Sequence, residues 1–247
     1  NEHFVGTGWR LNLNQRVFKA SVTEDGETEI KWVYEDKDGK LNYFESGYND
    51  GADEEKAAGR SDIRCEELGL DLFTGTNDLT LIDRSGNSMY FIAKQNGGSE
   101  YLLKEMHAYP SKRGAAKAER QVVITYNSDY SIKSVTAGLT ADGKVPKFLF
   151  CYENGKLAKI KYNRDGAAAE SEFYTVAELS YIVNELTLVT RKETADCEVI
   201  TQTKFSRADE NISYSAMFEV TNLASKDELG NFESLKYEMF GSGTVFA

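Results

Sequence analysis

The sequence predicts an all-β protein, an antiparallel meander of consecutive hairpins forming a large twisted sheet or sandwich with at most one short helix. Three observations carry this expectation. Apolar and polar residues alternate over short runs: Leu11 and Leu13; Ile30, Trp32 and Tyr34; Val122, Ile124 and Tyr126; Ile212, Tyr214 and Ala216. That is the period of a strand with one face turned to a core. Asx/Gly turn signatures separate the runs, and only 2 prolines occur, as suits strands whose backbone donors are all in use.

Taken in order, the turns are EDGE at 24–27, KDGK at 37–40, NDG at 49–51, DRSG at 83–86, ADGK at 141–144, ENGK at 153–156 and NRDG at 163–166. Asp-Gly and Asn-Gly supply the positive φ that tight hairpins require. An acidic loop runs from Asn49 to Arg60. The polar, alanine-rich stretch from His107 to Arg120, broken by Pro110 and Gly114, is the candidate linker or domain boundary within what otherwise reads as one elongated all-β domain over 1–247. The best helix candidate is Thr175 to Leu186, where Thr175 and Glu178 form a capping-box pattern. The same residues run on into the strand-like TLVTRK, so a strand stays open there.

A chain of 247 residues with 40% apolar and 28% charged residues is long enough for a sizeable core and ordinary for a globular protein. Nothing in it approaches the ~18 consecutive apolar residues of a membrane-spanning helix. The net charge of −11 argues against nucleic acid as a partner. Charge is uneven: from Lys104 to Arg164 twelve basic residues face five acidic ones, a net of +7 against −18 for the remainder. Solvated strand faces explain this, and a patch for an anionic glycan or lipid headgroup is the sharper alternative.

Cys65, Cys151 and Cys197 lie far apart, without metal or haem spacing, and an odd count allows at most one disulfide. Cys151, inside FLFCY, reads as a buried, inert thiol. The chain begins NEHFVGTGW with no basic or apolar leader, and the expectation is an exported protein whose signal has been removed.

Several runs share a local pattern. Tyr152 precedes Glu-Asn-Gly-Lys-Leu and then Ile160; Tyr34 precedes Glu-Asp-Lys-Asp-Gly-Lys-Leu and then Phe44. Tyr126 precedes Asn-Ser-Asp-Tyr-Ser-Ile, Tyr162 precedes Asn-Arg-Asp-Gly, and Phe205 opens a degenerate fifth copy. An aromatic residue ends one strand, a polar turn follows, and an apolar residue opens the return. Over about a quarter of the chain this resembles the YD/RHS-type β-hairpin repeats. Tyr130 stands where those repeats place glycine, and the Tyr-Asp pair itself is absent. The resemblance implies an exported bacterial protein, periplasmic or cell-surface and compatible with a lipid anchor, like Gram-negative lipoproteins of unassigned function.

Catalytic motifs are missing. His3 and His107 have no nucleophile motif beside them, and neither a G-x-S-x-G, a phosphate-cradling loop nor an H-E-x-x-H is present, so both read as surface or capping residues. Asp36, Asp38, Gly39 and Glu45 fall at positions of a calcium loop, yet Tyr34 would occupy its first ligand position and a hairpin turn is the preferred reading. The acidic run Asp50, Asp53, Glu54, Glu55 reads as solvated. No catalytic, cofactor-binding or metal residue is assigned, and no cofactor is expected. With 14 tyrosines and 13 phenylalanines, most aromatics belong to the core and a few are candidate sugar platforms.

The functional expectation is a non-enzymatic envelope or cell-surface binding or interaction module for a glycan or protein. One alternative is a polysaccharide hydrolase drawing a carboxylate pair from the 40 acidic residues. The other is a lipocalin-like small-ligand barrel, since FVGTGW at 4–9 resembles the start of such barrels, with Trp9 closing the floor.

Overall fold

A computed structural model of the chain describes residues 4–6, 10–47, 61–109, 120–183, 185–191, 201–207, 215–226 and 232–240. Among them are β1 (Arg16–Glu24), β2 (Glu27–Glu35), β3 (Leu41–Phe44), β4 (Ile63–Cys65), β5 (Leu70–Thr74), β6 (Asp78–Asp83), β7 (Ser88–Ala93), β8 (Glu100–His107) and β9 (Arg120–Tyr126). There follow β10 (Ile132–Ala137), β11 (Lys147–Glu153), β12 (Lys156–Asn163), β13 (Tyr174–Ile182), β14 (Glu185–Arg191), β15 (Thr201–Arg207), β16 (Ser215–Lys226) and β17 (Phe232–Phe240). One 3₁₀ turn, Glu170–Glu172, is the sole helical element among the described residues. Successive strands pair antiparallel, so the protein is an all-β meander of hairpins.

The helix candidate at Thr175 to Leu186 is instead β13 turning into β14. Leu179 lies opposite Val189 and Ser180 opposite Leu188, and ladder pairing on both sides of β13 overrides a local capping signal. The NRDG sequence at 163–166 does not form a tight hairpin either. Asn163 Oδ1 accepts the Asp165 N–H and Asp165 Oδ1 accepts the Ala167 N–H, opening a longer connection through the 3₁₀ turn.

The chain divides into two compact units. One comprises Leu11–Tyr130 and Val135–Val145; the other comprises Asn1–Arg10, Ser131–Ser134 and Pro146–Ala247. Residues 110–119 of the candidate linker lie outside the described residues; β8 and β9 on either side of them pair, Glu105 opposite Val123 and Met106 opposite Val122, inside the first unit.

In the first unit, hairpin pairing passes from β1 to β2 to β3. It crosses to β4 through the single bridge Glu45–Arg64, whose two backbone bonds are each 2.8 Å, and continues through β5, β6, β7 and β8. β8 then pairs with β1, Val17 opposite Tyr101, so eight strands form a hydrogen-bonded ring. Register places Leu103 opposite Phe91, Phe91 opposite Leu79, and Leu81 opposite Leu72 on one face. These side chains, with Val17, are at most 1% exposed. An eight-stranded ring is just wide enough for side chains to fill it, and these aliphatic and aromatic groups form its core.

Two turn types build the hairpins. Asp25 and Gly26 have φ of 50° and 85°, and Asn154 and Gly155 have 51° and 74°, the paired positive values of a two-residue turn whose twist matches the strands. The Asp36–Lys40 and Asp83–Asn87 turns share a second design. The first carboxylate accepts backbone N–H groups two and four residues on, and the glycine N–H returns to the first carbonyl.

In the second unit β11 to β17 pair in sequence order. Phe148, Tyr162 and Tyr174 align across β11, β12 and β13, with ring centroids 4.8 and 5.7 Å apart. The opposite face of the same strands carries Lys147, Lys159 and Lys161, and Lys159 Nζ lies 3.8 Å from Glu178. Every residue from Lys147 to Tyr152 is only half-buried, so this part of the sheet is held by cross-strand pairs rather than by a thick core.

Candidate functional site

At one end of the ring its inner face comes out to solvent. The Asp25-Gly26 turn sets the register of β1 against β2, which puts Lys19 opposite Trp32. Lys19 Nζ stands 4.6 Å from the Trp32 ring centroid, a cation–π contact. Tyr101 of β8 packs on the same indole at 5.8 Å, and the Lys19 N–H donates to the Ser99 carbonyl at 3.1 Å. Ile30, two residues before Trp32 and therefore on the same strand face, is 71% exposed. Beyond this point, among the described residues, 20–24 and 27–31 pair only with each other and carry that face outward as a two-stranded ribbon.

An ion cluster beside this end helps close the ring. The Arg16 guanidinium bonds Glu35 of β2 and Glu100 of β8, the latter at 2.8 Å, and its Cζ lies 4.9 Å from the Phe18 ring. Burial raises the Glu100 carboxyl, but the Arg16 hydrogen bond and the charges of Lys94 and Arg16 outweigh it and hold its pKa below the ordinary value. Burial lowers the Arg16 pKa, and its bonds to Glu100 and Glu35 raise it by more. The other well-buried carboxylate, Asp71, is held by Arg64 at 3.3 Å.

His107 is not a surface residue. It is 2% exposed, Nε2 lies 2.8 Å from Glu105 Oε2, and the buried Nδ1 has no hydrogen-bond partner. The Glu-x-His spacing in a strand puts both side chains on one face, a signal available in the sequence. No third ligand joins them: among the described residues no cluster of three His, Cys, Asp or Glu side chains is placed to hold a metal.

The calcium-loop positions resolve into the Asp36 hairpin turn, whose carboxylate takes the Asp38 and Lys40 N–H groups and Asn42 Nδ2. Glu45 is turned to Lys31, 2.9 Å away. Tyr130 takes up the glycine conformation, φ 65°, with its N–H on the Asn127 carbonyl. Cys65 is buried and free; Cys151 is free and half-buried rather than fully enclosed, because the sheet around it is thin. His3, Trp9, the NDG turn, Asp50, Asp53, Glu54, Glu55 and Cys197 lie outside the described residues.

No protein-family model matches the chain, and no curated protein matches it. A solved porin-like protein from Bacteroides uniformis is similar over 96% of this chain and 98% of its own, at 10% identity and a TM-score of 0.42, a level that carries no argument about activity. No helix among the described residues is long and apolar enough to cross a membrane, which leaves strands unaddressed.

Proposed function

We propose that the protein is a non-enzymatic binding module of the bacterial envelope or cell surface, and that its ligand is a glycan seated at the Lys19–Trp32–Tyr101 end of the ring. One observation carries the reading: an indole on the ring's inner face is overlain by an exposed lysine, next to a 71% exposed Ile30. An exposed cation–π contact is worth about 0.5–1 kcal/mol, so a sugar ring displaces Lys19 at low cost. The freed ammonium then donates to a sugar hydroxyl or carboxylate while the sugar's apolar face meets Trp32 and Ile30. The envelope placement rests on the hairpin resemblance.

The arrangement supports binding over hydrolysis. A glycosidase acid needs a setting that raises its carboxyl pKa, whereas the Arg16 cluster holds Glu100 in its charged form. The test is calorimetric titration with neutral and uronic-acid-containing oligosaccharides. Saturable heat that disappears in Trp32→Ala supports the reading; heat unchanged by that substitution, or none with either sugar class, defeats it.

A further inference from the structure

Part of the basic excess between Lys104 and Arg164 gathers on one sheet face. Lys147 of β11 stands opposite Asn163 and Lys161 of β12 opposite Leu149, so the two lysines are diagonal neighbours on that face, with Cβ atoms about 7–8 Å apart. Lys159 follows two residues along β12 on the same face, about 7 Å from Lys161, which therefore stands between the other two. Among the described residues neither Lys147 nor Lys161 has an ion pair or a hydrogen-bond partner, and Lys159 has only Glu178 at 3.8 Å. All three are half-buried, their stems lying along the sheet. Like charges on neighbouring strands destabilise a sheet, and no contact among the described residues offsets Lys147 and Lys161.

The carboxylates nearby leave this face positive. Glu178 is the β13 acid beside Lys159. Glu153, at the far end of β11, lies opposite Lys156 and is offset by it, and Glu185 lies opposite Ile182 at the β13–β14 turn. Asp165, Glu170 and Glu172 belong to the connection past Asn163, where Asp165 and Glu172 accept the Ala167 and Ala169 N–H groups. Three ammonium groups against the one carboxylate of Glu178 leave a charge of about +2 around Lys161. A carboxylate or a phosphodiester ligand meets only part of that, whereas a phosphate monoester carries about −1.5 to −2 at pH 7, with three acceptor oxygens for the three lysines. Lysine binds phosphate as a point charge on a flexible four-carbon stem, so the three heads can converge across this spacing. We infer that the lysine face of β11 and β12 seats a soluble phosphate monoester, with Lys161 at its centre and Lys147 and Lys159 on either side. This is independent of the glycan seat, which belongs to the other unit.

Calorimetric titration of the whole protein with glucose 6-phosphate tests it, in a Trp32→Ala background so that the sugar end adds no heat at the other unit. The expected result is saturable binding, weakened at least about tenfold in Lys161→Gln, as loss of a charge-assisted hydrogen bond implies. Glu178→Gln removes the competing carboxylate and tightens binding, an opposite shift that a merely structural role would not produce. Lys161→Gln also relieves like-charge repulsion, so its melting temperature stays at or above that of the parent, which separates lost binding from lost fold. No saturable heat, equal binding by Lys161→Gln, a lowered melting temperature in that variant, or dimethyl phosphate bound as tightly as glucose 6-phosphate would each overturn the inference.

Discussion

Val183, in the turn between β13 and β14, adopts φ 56° and gives the sharpest quantitative prediction. An L-residue in the left-handed region costs roughly 1–2 kcal/mol, the upper part of that range suiting a β-branched side chain. Glycine removes the strain but returns about 0.5–1 kcal/mol through the extra freedom of the unfolded chain. Val183→Gly therefore nets about 0.5–1 kcal/mol of stabilisation, and Val183→Asn the same or slightly more. For a chain of this length 1 kcal/mol corresponds to about 2–4 °C, so a rise of about 1–4 °C follows. The mirror experiment is Asn154→Val, which installs the strained residue at φ 51° and should cost about 1–2 kcal/mol. Urea unfolding followed by far-ultraviolet circular dichroism, at unchanged slope, reads both. A lower midpoint in Val183→Asn, or a neutral Asn154→Val, would refute the strain argument.

Three further expectations follow from the packing and the charges. Phe91→Ala empties the centre of a filled ring and should cost about 3–5 kcal/mol by urea denaturation, a loss under 1 kcal/mol contradicting the ring core. Glu100 has its pKa lowered in the folded state, so its contribution is present above the unfolded value of 4.5 and is lost as pH falls through the lower folded value. Glu100→Gln should flatten that acid limb of the stability profile, and an unchanged limb would count against the clip. Burial pushes the Tyr181 phenol up to about 12 from 10.0, so its contribution holds below 10.0 and is lost as pH rises toward 12. Ultraviolet titration should show a late-ionising phenol component that is lost in Tyr181→Phe.

Much of the architecture was legible because turn chemistry is local. Asp25-Gly26 fixes its hairpin without knowledge of any other residue, and the register it sets puts Lys19 opposite Trp32 thirteen residues away. The Lys19–Trp32 pair was thus readable; Tyr101, brought in by ring closure between β1 and β8, was not, since long-range pairing leaves no local trace. The Asn154-Gly155 turn shows a different limit. Counting outward from it would face Phe148 with Lys161, but a bulge at Cys151/Tyr152 shifts the register by one and brings Tyr162 opposite instead, creating the aromatic row. The helix pattern at Thr175 to Leu186 misled for a related reason: a capping signal is worth about 1 kcal/mol, less than two flanking ladders. His107 looked like a lone surface residue because the burial that defines it comes from the fold.

The most direct test of the account is a heteronuclear NMR titration with an oligouronate. Trp32 is one of 2 tryptophans, so its indole signal is assigned by a single Trp32→Phe spectrum. The account predicts that this signal, with the amides of Lys19, Ile30 and Tyr101, shifts saturably, and that Lys19→Ala weakens the titration. Saturable shifts confined to other residues, with the Trp32 indole unmoved, would contradict it.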